Sequence, residues 1–141
     1  MKMQLAIIFA LVGFAAFANG TATYRDAMGR NQGSSTTHGN YTTYRDSQGR
    51  MQGTAQTDCS ETHTTYRDSS GQLVGSSRTD SSGRTTFRDS TGSIHGTART
   101  DSSERVTYRD AQGRLVGTAT TDSSGRVTYR DAKGRLKGTK K

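Results

Sequence analysis

The side chains able to do chemistry in this chain are few, and most are badly spaced for it. His38, His63 and His95 sit in unrelated contexts, with neither a metal-ligand spacing nor a neighbouring nucleophile. Cys59 is the only cysteine, so no internal disulfide can form. It stands where other copies of the surrounding motif carry a turn serine, so it is expected to be exposed. There it is free, or it forms an intermolecular disulfide in an oxidising compartment. The aspartates recur singly in Asp-x-x-Gly turns, whereas a calcium loop needs several oxygen ligands close together. No catalytic, metal or cofactor-binding residue is therefore expected, and the chain does not read as an enzyme. One regular array remains: Arg25, Arg45, Arg67, Arg88, Arg109 and Arg130. Such a row is a candidate contact for a polyanion, nucleic acid or an acidic glycan. The alternative is that the adjacent aspartates, such as Asp110, neutralise it locally at little energetic gain.

The row is regular because the chain is. Each of these arginines lies inside a Thr-aromatic-Arg-Asp segment whose aromatic is Tyr24, Tyr44, Tyr66, Phe87, Tyr108 or Tyr129, at intervals of 20, 22, 21, 21 and 21. A glycine follows three residues beyond each Asp. A fixed period of this kind indicates a stacked-unit architecture and outranks local propensity. The cleanest copy, VTYRDAQGRLVGTATTDSSGRV over Val106–Val127, contains two turns, Asp110–Gly113 and Asp122–Gly125. Asp at the first position and a left-handed Gly at the end is hairpin chemistry.

Two turns in ~21 residues imply two strands per copy, one over Arg126–Arg130 and a longer one over Arg114–Thr121. Side chains alternate along a strand. Val106 and Tyr108 therefore share one face, and Arg105, Thr107 and Arg109 share the other. Simple pairing across the Asp110–Gly113 turn predicts Tyr108 opposite Leu115 and Val106 opposite Gly117. Ala119 then extends that apolar face, and Arg114, Val116, Thr118 and Thr120 lie on the polar one. The expected fold is all-β, a repetitive antiparallel β-meander of ~21-residue units. A parallel β-solenoid with one copy per coil is the alternative. Composition raises a further one, a largely disordered chain: only nine Leu, Ile, Val or Phe follow residue 18.

With so thin an apolar face, the sheet must curl over its tyrosines, self-associate or bind a ligand. The first copy departs most from the others and is expected to act as a loose cap, with order improving toward the C-terminus. Glu61 and Glu104 occupy turn positions held by glycine elsewhere. Each is expected to cost about 1 kcal/mol if left-handed.

The N-terminus has its own logic. Lys2 precedes an apolar run from Leu5 to Phe17, and Ala16-Phe17-Ala18 supplies a small-x-small cleavage pattern. Residues 1–18 read as a secretory signal peptide, too short to span a bilayer. Residues 19–141 then form the β-repeat region of six units, the last truncated. The mature protein is expected to be secreted, extracellular or periplasmic, with no transmembrane anchor. Losing Lys2 takes the net charge from +8 to +7. That charge favours anionic polymers or cell-envelope components as partners.

The segments YRDAQGRL and YRDAKGRL resemble the YD (RHS-type) repeats of secreted and cell-surface proteins, with an Arg inserted between Tyr and Asp in every copy. Asp110, Gly113, Arg114 and Leu115 match that pattern, as do Asp131, Gly134, Arg135 and Leu136. The resemblance implies a continuous winding β-sheet that acts as a wall rather than a catalyst. Together these readings point to an exported, non-catalytic protein with a binding or structural role.

Overall fold

The computed structural model describes residues 19–141, so the signal segment expected at residues 1–18 lies outside the described residues. Twelve strands follow one another: β1 (Gly20–Asp26), β2 (Asn31–His38), β3 (Tyr41–Asp46), β4 (Met51–Thr57), β5 (His63–Asp68), β6 (Leu73–Thr79), β7 (Arg84–Asp89), β8 (Ile94–Thr100), β9 (Val106–Asp110), β10 (Leu115–Thr121), β11 (Val127–Asp131) and β12 (Leu136–Lys140). Each strand pairs antiparallel with the next, and β12 returns to pair with β1, closing the meander into a barrel. The parallel coil of a solenoid is not this arrangement. Closure removes both sheet edges. It also corrects the expectation for the first copy, which is a full wall element sealed to the last strand. Tyr24, Arg25 and Asp26 face Lys140, Thr139 and Gly138 there, and Thr23 and Lys141 exchange both backbone hydrogen bonds.

The turns have the expected chemistry. In Asp110–Gly113, the Gly113 N–H donates to the Asp110 carbonyl and the Asp110 N–H donates to the Arg114 carbonyl, both at 3.0 Å. Gly113 has φ +80°, the left-handed residue that ends a three-residue hairpin loop. The Asp110 carboxylate accepts from the Gln112 and Arg114 N–H groups at 2.9 Å. At the opposite rim Glu61 and Glu104 do adopt positive φ, 59° and 58°.

The register differs from simple pairing. Tyr108 faces Gly117, Val106 faces Ala119 and Leu115 faces Arg109, with a bulge between Leu115 and Gly117. The same irregularity recurs beside Tyr24, Tyr44, Tyr66, Phe87 and Tyr129. One extra residue moves every side chain beyond it to the other face. Leu115 is therefore outside, 42 % exposed, and not part of the tyrosine face. The reason is volume. All six aromatics share the inward face, and each has a glycine directly opposite on the following strand; Tyr66, Phe87 and Tyr24 are buried. A leucine there would crowd the lumen. The glycine is also required by the wall itself: a Cβ on Gly117 would run into the Arg130 carbonyl oxygen of β11, and Gly53 faces the same obstacle at Arg67.

Inside the barrel the aromatics form one layer, with the small residues Ser35, Ala55, Ser77, Ala98 and Ala119 on the strands between them. Burial keeps the phenols neutral: Tyr24, Tyr66 and Tyr108 are pushed up to about 12. Tyr44 and Tyr129 are pushed up further, burial again being the main cause. No helix among the described residues is long and apolar enough to cross a membrane.

Candidate functional site

In a closed meander alternate turns lie at alternate ends, so the six turns that follow the Thr-aromatic-Arg-Asp segments lie at one rim, and the Asp80–Gly83 and Asp122–Gly125 turns lie at the other. The arginine row is part of that rim. Each arginine faces outward and donates from Nη1 to the carbonyl of its own turn glycine. Arg25, Arg45 and Arg67 reach Gly29, Gly49 and Gly71 at 2.9, 3.0 and 2.9 Å. Arg88, Arg109 and Arg130 reach Gly92, Gly113 and Gly134 at 2.8, 2.8 and 3.0 Å. One edge of each guanidinium thus fastens the turn while the side chain remains exposed.

The aspartates make no ion pair with this row. Their ion pairs go to the arginine after the turn glycine: Arg30–Asp26 at 2.7 Å, Arg50–Asp46 at 3.0 Å, Arg114–Asp110 and Arg135–Asp131 at 2.8 Å. For Asp110, partial desolvation pulls the carboxyl pKa up. Hydrogen bonds from the Arg114 side chain and backbone outweigh it, and the net pKa lies below the usual carboxylate range. The row arginines have no carboxylate partner among the described residues.

The two rims differ in charge. The rim of the row arginines carries Arg25, Arg30, Arg45, Arg50, Arg67, Arg88, Arg109, Arg114, Arg130, Arg135, Lys133 and Lys137 against Asp26, Asp46, Asp68, Asp89, Asp110 and Asp131, twelve cations to six anions. The opposite rim carries Arg78, Arg84, Arg99, Arg105, Arg126, Lys140 and Lys141 against Asp58, Asp80, Asp101, Asp122, Glu61 and Glu104, seven to six. Exposed apolar residues concentrate at the basic rim too. Among the described residues, the exposed large apolar side chains Met28, Met51, Leu73, Ile94, Leu115, Val116 and Leu136 lie there, and Tyr41 alone lies at the other rim. The sequence showed the arginines, but not that closure would gather this excess charge and the displaced leucines on one ring.

The remaining candidates stay apart. Cys59 is an exposed free thiol in the turn between β4 and β5. His38 and His63 end and begin strands at the near-neutral rim, and His95 lies at the basic one. Among the described residues no three His, Cys, Asp or Glu side chains are grouped to hold a metal ion.

Sequence reasoning missed the mouth of the barrel. Behind the basic rim lies a cavity of about 290 Å³ lined by Phe87, Tyr108, Tyr129, His95, Val116 and Lys137, among others. The last three are the bulge residues of β8, β10 and β12. The corresponding bulge residues in the first two copies, Gln32 and Gln52, donate instead to Asp26 and Asp46, at 3.3 and 3.1 Å. No protein-family model and no curated protein matches the chain, so rim and mouth are read from their own chemistry.

Proposed function

We propose that this is an exported, non-catalytic β-barrel, built by repetition of a ~21-residue unit, that binds an anionic partner through its basic rim at the cell surface or in the surrounding medium. The observation that supports this reading is the excess of six cations on one rim of a barrel whose other rim is nearly neutral. The six row arginines suit this role because the turn carbonyls hold them in place, so less side-chain freedom is lost when a partner binds. The partner class is an anionic polymer, nucleic acid or acidic glycan, or a cell-envelope phosphate surface. The YD-like pattern of YRDAQGRL is in keeping with a wall that presents such a surface. Cys59, exposed at the opposite rim, is placed to link two copies in an oxidising compartment without obstructing the basic one.

The test is binding to double-stranded DNA and to heparin across a salt series. Affinity for DNA is expected to fall as salt rises, with a logarithmic slope of about 0.9 per phosphate contact. Replacing Arg67, Arg88, Arg109 and Arg130 with serine is expected to flatten that slope while the β signal in circular dichroism persists. Absence of salt-dependent binding to either polymer refutes the reading.

A further inference from the structure

The cavity at the mouth lies on one side of an otherwise repetitive barrel, and three observations set that side apart. The first is the lining: Phe87, Tyr108 and Tyr129 contribute aromatic rings, and Val116 adds an apolar side chain. The second is what does not fill it. In the first two copies a glutamine at the bulge is tied to the turn aspartate; here His95 lies within electrostatic reach of its turn aspartate, Asp89, while the other two bulge residues are Val116, which is apolar, and Lys137, which forms no ion pair among the described residues. The third is a pair of orphaned donors. The Tyr108 and Tyr129 hydroxyls are buried without a hydrogen-bond partner, while those of Tyr24 and Tyr66 meet Ser35 and Ser77 at 2.7 and 2.9 Å. Buried unpaired hydroxyls are costly, and they are uncommon away from sites that serve another purpose.

The charges at the mouth narrow the ligand class. Asp110 and Asp131 also line the cavity, but both already accept from Arg114 and Arg135. Lys137 forms no ion pair among the described residues. Arg109 and Arg130 line the cavity as well, each with Nη1 committed to its turn glycine carbonyl, so an apolar floor meets a cationic edge that suits a molecule with an apolar body and a negative group. A cavity of about 150 Å³ accommodates benzene, so this one has room for roughly two fused rings.

We propose that the mouth cavity bounded by Phe87, Tyr108, Val116, Tyr129 and Lys137 is a binding site for a small aromatic monoanion, a planar two-ring system bearing one carboxylate. The rings stack against the aromatic side chains and the carboxylate meets Lys137 at the edge. The site borders the basic rim and shares Arg109, Arg130 and Lys137 with it, but its aromatic floor is its own, so filling that floor separates its failure from that of the rim's proposed polyanion binding.

The test uses residues 19–141 and naphthalene-2-carboxylate, followed by calorimetry. Saturable one-to-one binding with a Kd below about 1 mM is expected. Val116→Trp fills the cavity and is expected to weaken binding at least about tenfold, while heparin binding is unchanged. Val74→Trp, at the same bulge position in the third copy, lies outside the cavity lining and is expected to leave the Kd within about twofold. Lys137→Met is expected to weaken the carboxylate about tenfold and leave the neutral naphthalene-2-methanol unaffected. That comparison decides the matter if Val116→Trp does not fold. No saturable binding, equal loss in the two tryptophan variants, or equal loss of acid and alcohol in Lys137→Met overturns the proposal.

Discussion

The two halves of the barrel share one backbone plan and fill it differently. In β1–β6 the lumen is tied together by hydroxyls. Thr37 meets Thr42 at 3.0 Å, Thr57 meets Thr64 at 2.9 Å, and Thr79 meets Thr85, the first inward threonine of β7, at 2.8 Å. Tyr24 and Tyr66 are matched by serines. In the two later pairs, between β8 and β9 and between β10 and β11, one member has become apolar. Val106 stands opposite Thr100 and Val127 opposite Thr121. Phe87, Ala98, Val106 and Ala119 form the buried hydrophobic cluster, with Tyr108, Val127 and Tyr129 packed on it. The exchange leaves donors behind: among the described residues the unpartnered buried side-chain atoms are Thr100 Oγ1, Tyr108 Oη and Tyr129 Oη, all in this half. One half gains specificity from paired hydroxyls, the other gains apolar burial and an open mouth. A repeat can therefore keep its walls and specialise its contents.

The largest effect tests whether the halves fold as one body. Tyr24, Tyr66 and Tyr108 have folded pKa values of about 12 against 10 unfolded. A raised phenol pKa contributes stability that is present below pH 10 and lost as pH rises toward 12. At full effect each is worth about 3 kcal/mol, together comparable to the whole stability of a small domain. One alkaline transition is expected, with sheet loss by circular dichroism coincident with phenolate absorbance. Two separated transitions would break the single-body picture.

Next come the lumen glycines, where the halves should agree. Gly53→Ala and Gly117→Ala each force a Cβ against a backbone carbonyl and are expected to cost about 3 kcal/mol in urea unfolding. A large inequality would mean that one wall yields. The tyrosine hydroxyls should then separate the halves by sign. Tyr66→Phe orphans the Ser77 hydroxyl and is expected to destabilise by about 1–2 kcal/mol, whereas Tyr108→Phe removes an unpaired donor and is expected to stabilise by about 1 kcal/mol. Equal losses would refute the contrast. The smallest effect is again symmetric: Glu61→Gly and Glu104→Gly relieve left-handed glutamates, one in each half, and should each raise stability by roughly 0.5–1 kcal/mol.

Much of the wall was legible in the sequence, because turns and alternation are local. Asp110–Gly113 and Asp122–Gly125 marked the hairpins, and the strand alternation placed Tyr108 inside and Arg109 outside. Left-handed Glu61 and Glu104 followed from their alignment with glycines. The register was not legible. A hairpin read by counting residues puts Leu115 opposite Tyr108, and only the backbone of the next strand, whose Arg130 carbonyl leaves no room for a Cβ at Gly117, explains why the bulge brings a glycine there. Closure was hidden for a different reason: the pairing of β1 with β12 depends on the accumulated curvature of twelve strands, which no single copy contains. The candidate site suffered from both. The arginine row was evident, but its gathering into a basic ring and the cavity behind Val116 exist only once the sheet is closed and bulged.

That closure has a consequence in time. Eleven of the twelve strand pairings join neighbours in the chain and can form as local hairpins. The twelfth must bring Thr23 to Lys141. The entropy of closing so long a loop falls entirely on this step, so it is expected to be the last and slowest event of folding. Until it occurs, β1 and β12 are open edges, each complementary to the other's counterpart on a second molecule. Ring closure then competes with chain-to-chain addition, and protein concentration during refolding decides between a barrel and an aggregate.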